Sequence, residues 1–167
     1  TAGLLFRLGT LEFEYGRMRP GSRPEGIEAE APVLSVHIPS DAVLDREELD
    51  GSYDMALRFF SQERLCPWGR PRAMVCSSWL LAPALDGLLP ENSGIRRFAG
   101  DYRLYDVDEE DQEFYEWLFG GHKPLEELPE HTSLQRAVKA HLAAGGRLGR
   151  ARGVLTHKAI TENQGAM

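Results

Sequence analysis

The sequence has little cysteine, no long hydrophobic run and no excess of basic charge. Its two cysteines, Cys66 and Cys76, are too few for a disulfide framework, and no CxxC or HxxxH spacing offers a zinc site. No apolar run approaches the roughly 20 residues that span a bilayer, and the N-terminus lacks the pattern of a secretory signal. We therefore expect a cytoplasmic protein with reduced thiols, no metal site and no membrane segment.

Acidic residues outnumber basic residues in this chain by 26 to 19, which gives a formal net charge of −7 at pH 7. A negative protein repels nucleic-acid phosphates and anionic lipid, so neither is expected as a partner. The length of 167 residues and the hydrophobic content of 42% predict one domain with one core. We place this domain at residues 1–160 and a flexible tail at residues 161–167.

Alternating apolar residues predict two strands in the first part of the chain. The first lies within residues 4–17, and the second covers residues 33–38 and stops at Pro39. Period two divides the second strand into an apolar face, Leu34, Val36 and Ile38, and a second face, Val33, Ser35 and His37. We expect the second face to carry the polar chemistry.

A helix and a further strand follow. Apolar residues spaced by three or four predict a helix over residues 49–63, with Asp50 or Ser52 as its N-terminal cap. Residues 73–81 are typical of a strand. The remaining pattern predicts strands at 102–107 and 154–157 and helices at 110–119 and 133–144. Interleaved strands and helices favour an α/β (α+β) fold with helices on both faces of the sheet.

Four sets of residues carry a resemblance to a known family. They are Leu8-Gly9-Thr10-Leu11-Glu12-Phe13, Val36-His37-Ile38-Pro39, Ser52 with Phe59-Phe60, and Cys76-Ser77-Ser78-Trp79-Leu80-Leu81. Taken in order, they resemble the C-terminal domain of bacterial acyltransferase domain-containing proteins, which is GNAT-like, that is, of the acyl-CoA N-acyltransferase fold. The resemblance covers residues 4–155. In that family a helical N-terminal domain usually precedes this one, so the resemblance implies a fragment without that companion.

The resemblance implies a mixed central sheet in which two neighbouring parallel strands splay apart. The pair would be residues 33–38 and 73–81, and the pantetheine arm of acetyl-CoA or another acyl-CoA would enter between them. Backbone N–H groups freed by the splay can bond to the pantetheine and polarise the thioester carbonyl. The residues implied to contact this co-substrate are Ile38, Pro39, Gly51, Ser52, Tyr53 and Cys76.

The segment implied to hold the pyrophosphate departs from the family pattern. GNAT enzymes usually show Gln or Arg-x-x-Gly-x-Gly or Ala between the strand and the helix, because free N–H groups at a helix start favour anions. This chain offers only Gly51-Ser52 among acidic residues. The departure leaves open a degenerate CoA site or the loss of CoA binding.

His37 and Ser78 are the candidate catalytic residues. A neutral imidazole could accept the proton of an attacking amine, and the Ser78 hydroxyl could donate a hydrogen bond to the substrate or co-substrate. The structural alternatives are a histidine bonded to backbone and a serine in a cross-strand bond. Cys76 is a nucleophile only if a base lowers its pKa and is otherwise an inert buried thiol.

These residues lead to two functional hypotheses. The first is an acyl-CoA-dependent N-acyltransferase, with acetyl as the expected acyl group and an amine attacking the thioester directly. Its acceptor would be a small-molecule or peptide amine, which the acidic run at 106–113 could attract. The alternative is a catalytically silent GNAT-like module that binds a ligand or serves the helical N-terminal domain. A homodimer is compatible with either hypothesis.

Overall fold

The computed structural model describes residues 3–156, which contain a six-stranded mixed sheet in the order β1-β2-β3-β4-β6-β5. Only β3 and β4 pair in parallel, and every other neighbouring pair is antiparallel. The strands are β1 (Leu5–Leu8), β2 (Leu11–Arg17), β3 (Pro32–His37), β4 (Met74–Ser78), β5 (Tyr102–Asp108) and β6 (Arg150–Leu155).

Four α-helices connect the strands within these residues: α1 (Arg46–Phe59), α2 (Gly94–Gly100), α3 (Phe114–Phe119) and α4 (Ser133–Ala143). Helix α1 links the parallel strands β3 and β4, as the sequence predicted. The mixed sheet with one parallel pair confirms the predicted fold class. No helix of residues 3–156 has the length and apolar character that a membrane crossing requires.

The start of α1 differs from the prediction. The helix begins at Arg46 and is capped by Asp45, whose carboxylate accepts the Glu48 N–H at 2.8 Å. The predicted start at residue 49 was wrong, because acidic residues that favour a helix N-terminus continue upstream to Asp45. Gly51 and Ser52 therefore lie in the second turn of the helix. The predicted apolar stripe is confirmed, since Leu49, Tyr53, Ala56 and Phe60 are all buried.

Strand β4 is shorter than predicted. It ends at Ser78, and Trp79–Leu81 form a 3₁₀ turn instead of continuing the strand. The Ser78 hydroxyl accepts the Leu80 N–H at 3.0 Å and so starts that turn. A serine that bonds the backbone two residues ahead offers the chain an alternative to the sheet ladder, which explains the early end.

The last strand is longer at its start than predicted. Strand β6 begins at Arg150, four residues before the predicted start at residue 154. His157 and the predicted tail at 161–167 lie outside the described residues.

Helix α4 follows the prediction within one residue at its C-terminus, and a capping box formed by Thr132 and Gln135 fixes its start. Helix α3 begins only at Phe114, after the acidic run.

The main hydrophobic cluster lies between α1 and one face of the sheet. It includes Phe13 and Leu34 from the sheet, Tyr53 from α1 and Phe98 from α2, all with no exposed surface. The opposite face carries a smaller cluster of buried residues: Met18, Val33, Ala73, Val75 and Val154. Only the first face is thus packed against α1, and His37 belongs to the second.

Candidate active site

Register pairing between the parallel strands β3 and β4 ends after two residue pairs. In the described residues they pair at Leu34–Met74 and Ser35–Val75, with the Leu34 N–H donating to the Ala73 carbonyl at 3.0 Å. A regular ladder would continue with the Ser77 N–H donating to Val36 and the Ile38 N–H donating to Ser77. Pairing stops before those bonds, so the ladder supplies no β3–β4 partner to the N–H groups of Ser77 and Ile38. We call this unpaired end of the two strands the opening.

His37 lies beside this opening, at the end of β3. Its side chain is exposed on the face opposite α1. Ser77 is exposed on the same face of β4, since Ser35 and Val75 are register partners and both chains continue by two residues. The structure therefore places an imidazole and a hydroxyl-bearing residue on the two walls of the opening.

Cys76 points to the other face and is buried in the main hydrophobic cluster. Burial raises the pKa of its thiol from 9.0 to about 12. Because the thiolate is the nucleophile, a thiol that stays protonated at neutral pH is inert. The geometry matches the structural alternative for Cys76. A contact between this residue and a co-substrate stays a prediction.

Ser78 shares the face of Cys76 rather than that of His37. Its hydroxyl is engaged in the hydrogen bond that starts the 3₁₀ turn after β4. The structure does not bring Ser78 and His37 together on one face. Ser78 could take its predicted catalytic role only if its hydroxyl gave up the bond to the Leu80 N–H, whereas Ser77 would not have to give up such a bond.

Ser52 and Tyr53 are buried inside the fold. The Ser52 hydroxyl accepts the Leu11 N–H at 3.0 Å and donates to the Leu8 carbonyl at 2.5 Å, which holds α1 against the β1–β2 turn. The Tyr53 hydroxyl lies 3.1 Å from that of Tyr102, and burial raises the pKa of both phenols. Neither side chain faces solvent, so this geometry does not suit contact with a pyrophosphate.

Ile38 and Pro39 occupy the turn directly after β3. Ile38 is half-buried against the main cluster, and the Pro39 carbonyl accepts the Ala42 N–H at 3.0 Å. The chain then reaches the acidic first turn of α1, with Glu47 and Glu48. An anion at this helix start would meet free N–H groups and two carboxylates together, a mixed electrostatic environment.

The acidic run before α3 is paired with arginines of β6 and the segment that precedes it. The pairs are Arg147 with Glu110, Arg150 with Asp111 and Glu113, and Arg152 with Asp106. These side chains are partly or largely exposed, so the pairs are weak individually. They nevertheless neutralise much of the charge that was expected to attract a cationic acceptor.

Sequence reasoning missed two residues beside the opening, Ser77 and Glu12. The alternation that placed Cys76 and Ser78 on one strand face also placed Ser77 on the other, so the signal for Ser77 was available. Glu12 lies opposite His37 in the β2–β3 register, a relation that local periodicity does not reveal. No group of three or more metal-ligating side chains occurs within residues 3–156.

Three solved structures are similar to this chain. An acyltransferase in complex with decanoyl-CoA and teicoplanin is 32% identical, with a TM-score of 0.75 over 90% of this chain and 46% of that chain. An acyltransferase with decanoyl-CoA alone is 32% identical, with a TM-score of 0.76 over 91% and 46%. A mutant acyltransferase with octanoyl-CoA is 31% identical, with a TM-score of 0.75 over 90% and 46%.

The chain thus spans about half the length of the solved structures that it matches. No curated protein matches it. The model of the family described as "GNAT-like C-terminal domain" matches residues 5–155, the same stretch that carries the sheet and the separated strands. This match confirms the resemblance drawn from the motifs, and the chain belongs to the family of GNAT-like C-terminal domains.

Proposed function

We propose that this chain is the acyl-CoA-binding part of an N-acyltransferase, in which His37 removes the proton from an acceptor amine. The observation that carries the proposal is the end of register pairing between β3 and β4 after two residue pairs, with His37 as the last residue of β3. The likeness to acyltransferases solved with decanoyl-CoA and octanoyl-CoA supports a thioester in the opening.

The proposed reaction needs no covalent enzyme intermediate. The amine nitrogen attacks the thioester carbonyl, the new C–N bond forms and the C–S bond breaks. His37 accepts the proton lost by the amine, the departing CoA thiolate takes up a proton from solvent, and the His37 imidazolium returns its proton to solvent, so protons and charges balance. The N–H groups of Ile38 and Ser77, which the ladder leaves without a β3–β4 partner, would hold the carbonyl oxygen as it gains negative charge.

The acyl group and the acceptor are the finer parts of the proposal. The sequence led to acetyl, but the two neighbours hold acyl groups of ten and eight carbons. We therefore place a medium-length acyl chain ahead of acetyl. The acceptor class is a primary amine on a small molecule or peptide, supported by the neighbour that binds teicoplanin. A companion N-terminal domain would complete the acceptor side.

Titration calorimetry tests the co-substrate. The expected result is binding of decanoyl-CoA, weaker binding of acetyl-CoA and no binding of decanoic acid. Activity is measured as thiol release from decanoyl-CoA with teicoplanin, benzylamine, cadaverine and a lysine peptide in turn. His37→Gln should reduce turnover by about a hundredfold, whereas His131→Gln, an exposed histidine in the loop before α4, should not.

The silent module remains the second candidate because of one observation. The first turn of α1 carries Glu47 and Glu48 where the related enzymes usually have a glycine-rich loop. Absence of decanoyl-CoA binding at millimolar concentration would support the module and contradict the enzyme. Binding without thiol release for any amine would favour a ligand-binding role.

A further inference from the structure

Glu12 lies directly opposite His37 across the β2–β3 ladder. Directly opposed residues of an antiparallel pair project to the same face, with their Cβ atoms about 4.5–5.5 Å apart. A glutamate side chain at that separation reaches an imidazole by a change of rotamer. The ladder therefore holds a carboxylate within reach of the proposed base, on the open face of the sheet.

The neighbouring cation does not compete for this carboxylate. Arg7 is the partner of Glu12 on β1, but its guanidinium donates to the Gly9 carbonyl and to Asp41, each at 2.9 Å. The bond to Arg7 also lowers the pKa of Asp41, as expected for an engaged pair. In the part of the chain that the structure describes, the side chains of Glu12 and His37 form no hydrogen bond or ion pair, either with each other or with another group, so the carboxylate is available to turn toward the imidazole.

We propose that Glu12 is the positioning residue of His37. Its carboxylate accepts a hydrogen bond from one ring nitrogen, which fixes the tautomer and turns the other nitrogen toward the opening. When His37 takes up the proton of the amine, the carboxylate stabilises the imidazolium. The catalytic meaning of this contact rests on the proposed function, but the contact itself does not.

Glu14 supplies a matched control. It lies two residues further along β2, is half-buried like Glu12 and projects to the same face. Its partner across the ladder is Ser35 instead of a histidine. Any effect caused only by the loss of one carboxylate from this face should be equal for the two glutamates.

The first test is ¹⁵N NMR of the imidazole rings in the full chain without ligand, at about pH 8.5, where an ordinary imidazole is neutral. The His37 signals are assigned with the His37→Gln variant. We expect one dominant tautomer in the unsubstituted chain and in Glu14→Gln, and a mixture in Glu12→Gln. Unchanged ring shifts in Glu12→Gln, or an equal change in Glu14→Gln, would overturn the proposal.

The second test is kinetic and uses decanoyl-CoA with teicoplanin. Glu12→Gln should lower kcat by about tenfold to a hundredfold with little change in the KM for decanoyl-CoA, and Glu12→Asp should recover part of the loss. An equal loss in Glu12→Gln and Glu14→Gln would contradict a positioning role. If neither the unsubstituted chain nor any variant releases thiol from decanoyl-CoA, the proposed function fails. The NMR result still decides whether Glu12 bonds to His37.

Discussion

The Ser52 hydroxyl lies 3.0 Å from the Leu11 backbone nitrogen and joins helix α1 to the first hairpin of the sheet. The same hydroxyl donates a hydrogen bond to the Leu8 carbonyl. One buried side chain thus bonds to a backbone donor and a backbone acceptor of the β1–β2 turn. Both backbone groups flank the two-residue turn, at the register pair Leu8–Leu11 that ends the ladder. The resemblance implied that Ser52 contacts the co-substrate, but its hydrogen bonds are of a structural kind, since they attach α1 to the hairpin.

Replacing Ser52 by alanine should therefore destabilise the fold. The substitution removes the buried hydroxyl that bonds to both the Leu11 N–H and the Leu8 carbonyl, at a cost of about 1–3 kcal/mol in the free energy of unfolding. Urea denaturation measures the change. Ser40→Ala, at an exposed position, is the control and should be neutral within about 0.5 kcal/mol. A Ser52→Ala variant as stable as the control would contradict the structural role of Ser52.

Gly51 offers the opposite expectation. It lies inside α1, and a Cβ added there meets no atom within 4 Å. Gly51→Ala should raise the free energy of unfolding by about 0.5–1 kcal/mol, because alanine restricts the unfolded chain and favours the helix. Decanoyl-CoA affinity, measured by calorimetry, should stay unchanged. A loss of affinity in a stabilised variant would restore the phosphate role that the sequence suggested for Gly51.

Cys76 should not be required for turnover. Its thiol is buried and its pKa is raised to about 12, so almost no thiolate exists at neutral pH. Cys76→Ala should keep thiol release from decanoyl-CoA within about threefold of the unsubstituted chain, and the small cavity should lower stability modestly. A folded Cys76→Ala chain without activity would overturn direct attack by the amine.

The same thiol predicts the direction of the pH dependence at alkaline pH. Folding raises its pKa from 9.0 to about 12, so the native state holds a proton that the unfolded state releases in this window. Its contribution to stability is complete below about pH 9 and is lost as the pH rises toward 12. Urea denaturation between pH 8 and pH 10.5, compared with Cys76→Ala, measures this. Burial of Tyr53 and Tyr102 acts in the same direction.

Local patterns predicted most of the fold and only part of the site. The spacing of Leu49, Tyr53 and Ala56 follows the helical period, so the buried face of α1 could be predicted from the sequence. The start of α1 was not, because several acidic residues before it can cap a helix and only the packed structure selects Asp45.

The site depends on pairing between strands, which periodicity within one strand does not contain. Alternation separates Ser77 from Cys76 and Ser78, but only the register sets Glu12 opposite His37. The first four residues of β6 were missed for a related reason. Gly153 is typical of a turn, yet it pairs with Cys76 in the sheet, and a glycine suits this place because a Cβ there would lie 2.9 Å from that of Tyr102.

Because pairing between β3 and β4 ends early, the sheet consists of two antiparallel ribbons of three strands each. Two register pairs and helix α1 connect the ribbons. Few backbone hydrogen bonds therefore resist a change in the spacing of the two ribbons, and their relative position depends mainly on the side chains of the main hydrophobic cluster, which come from both of them.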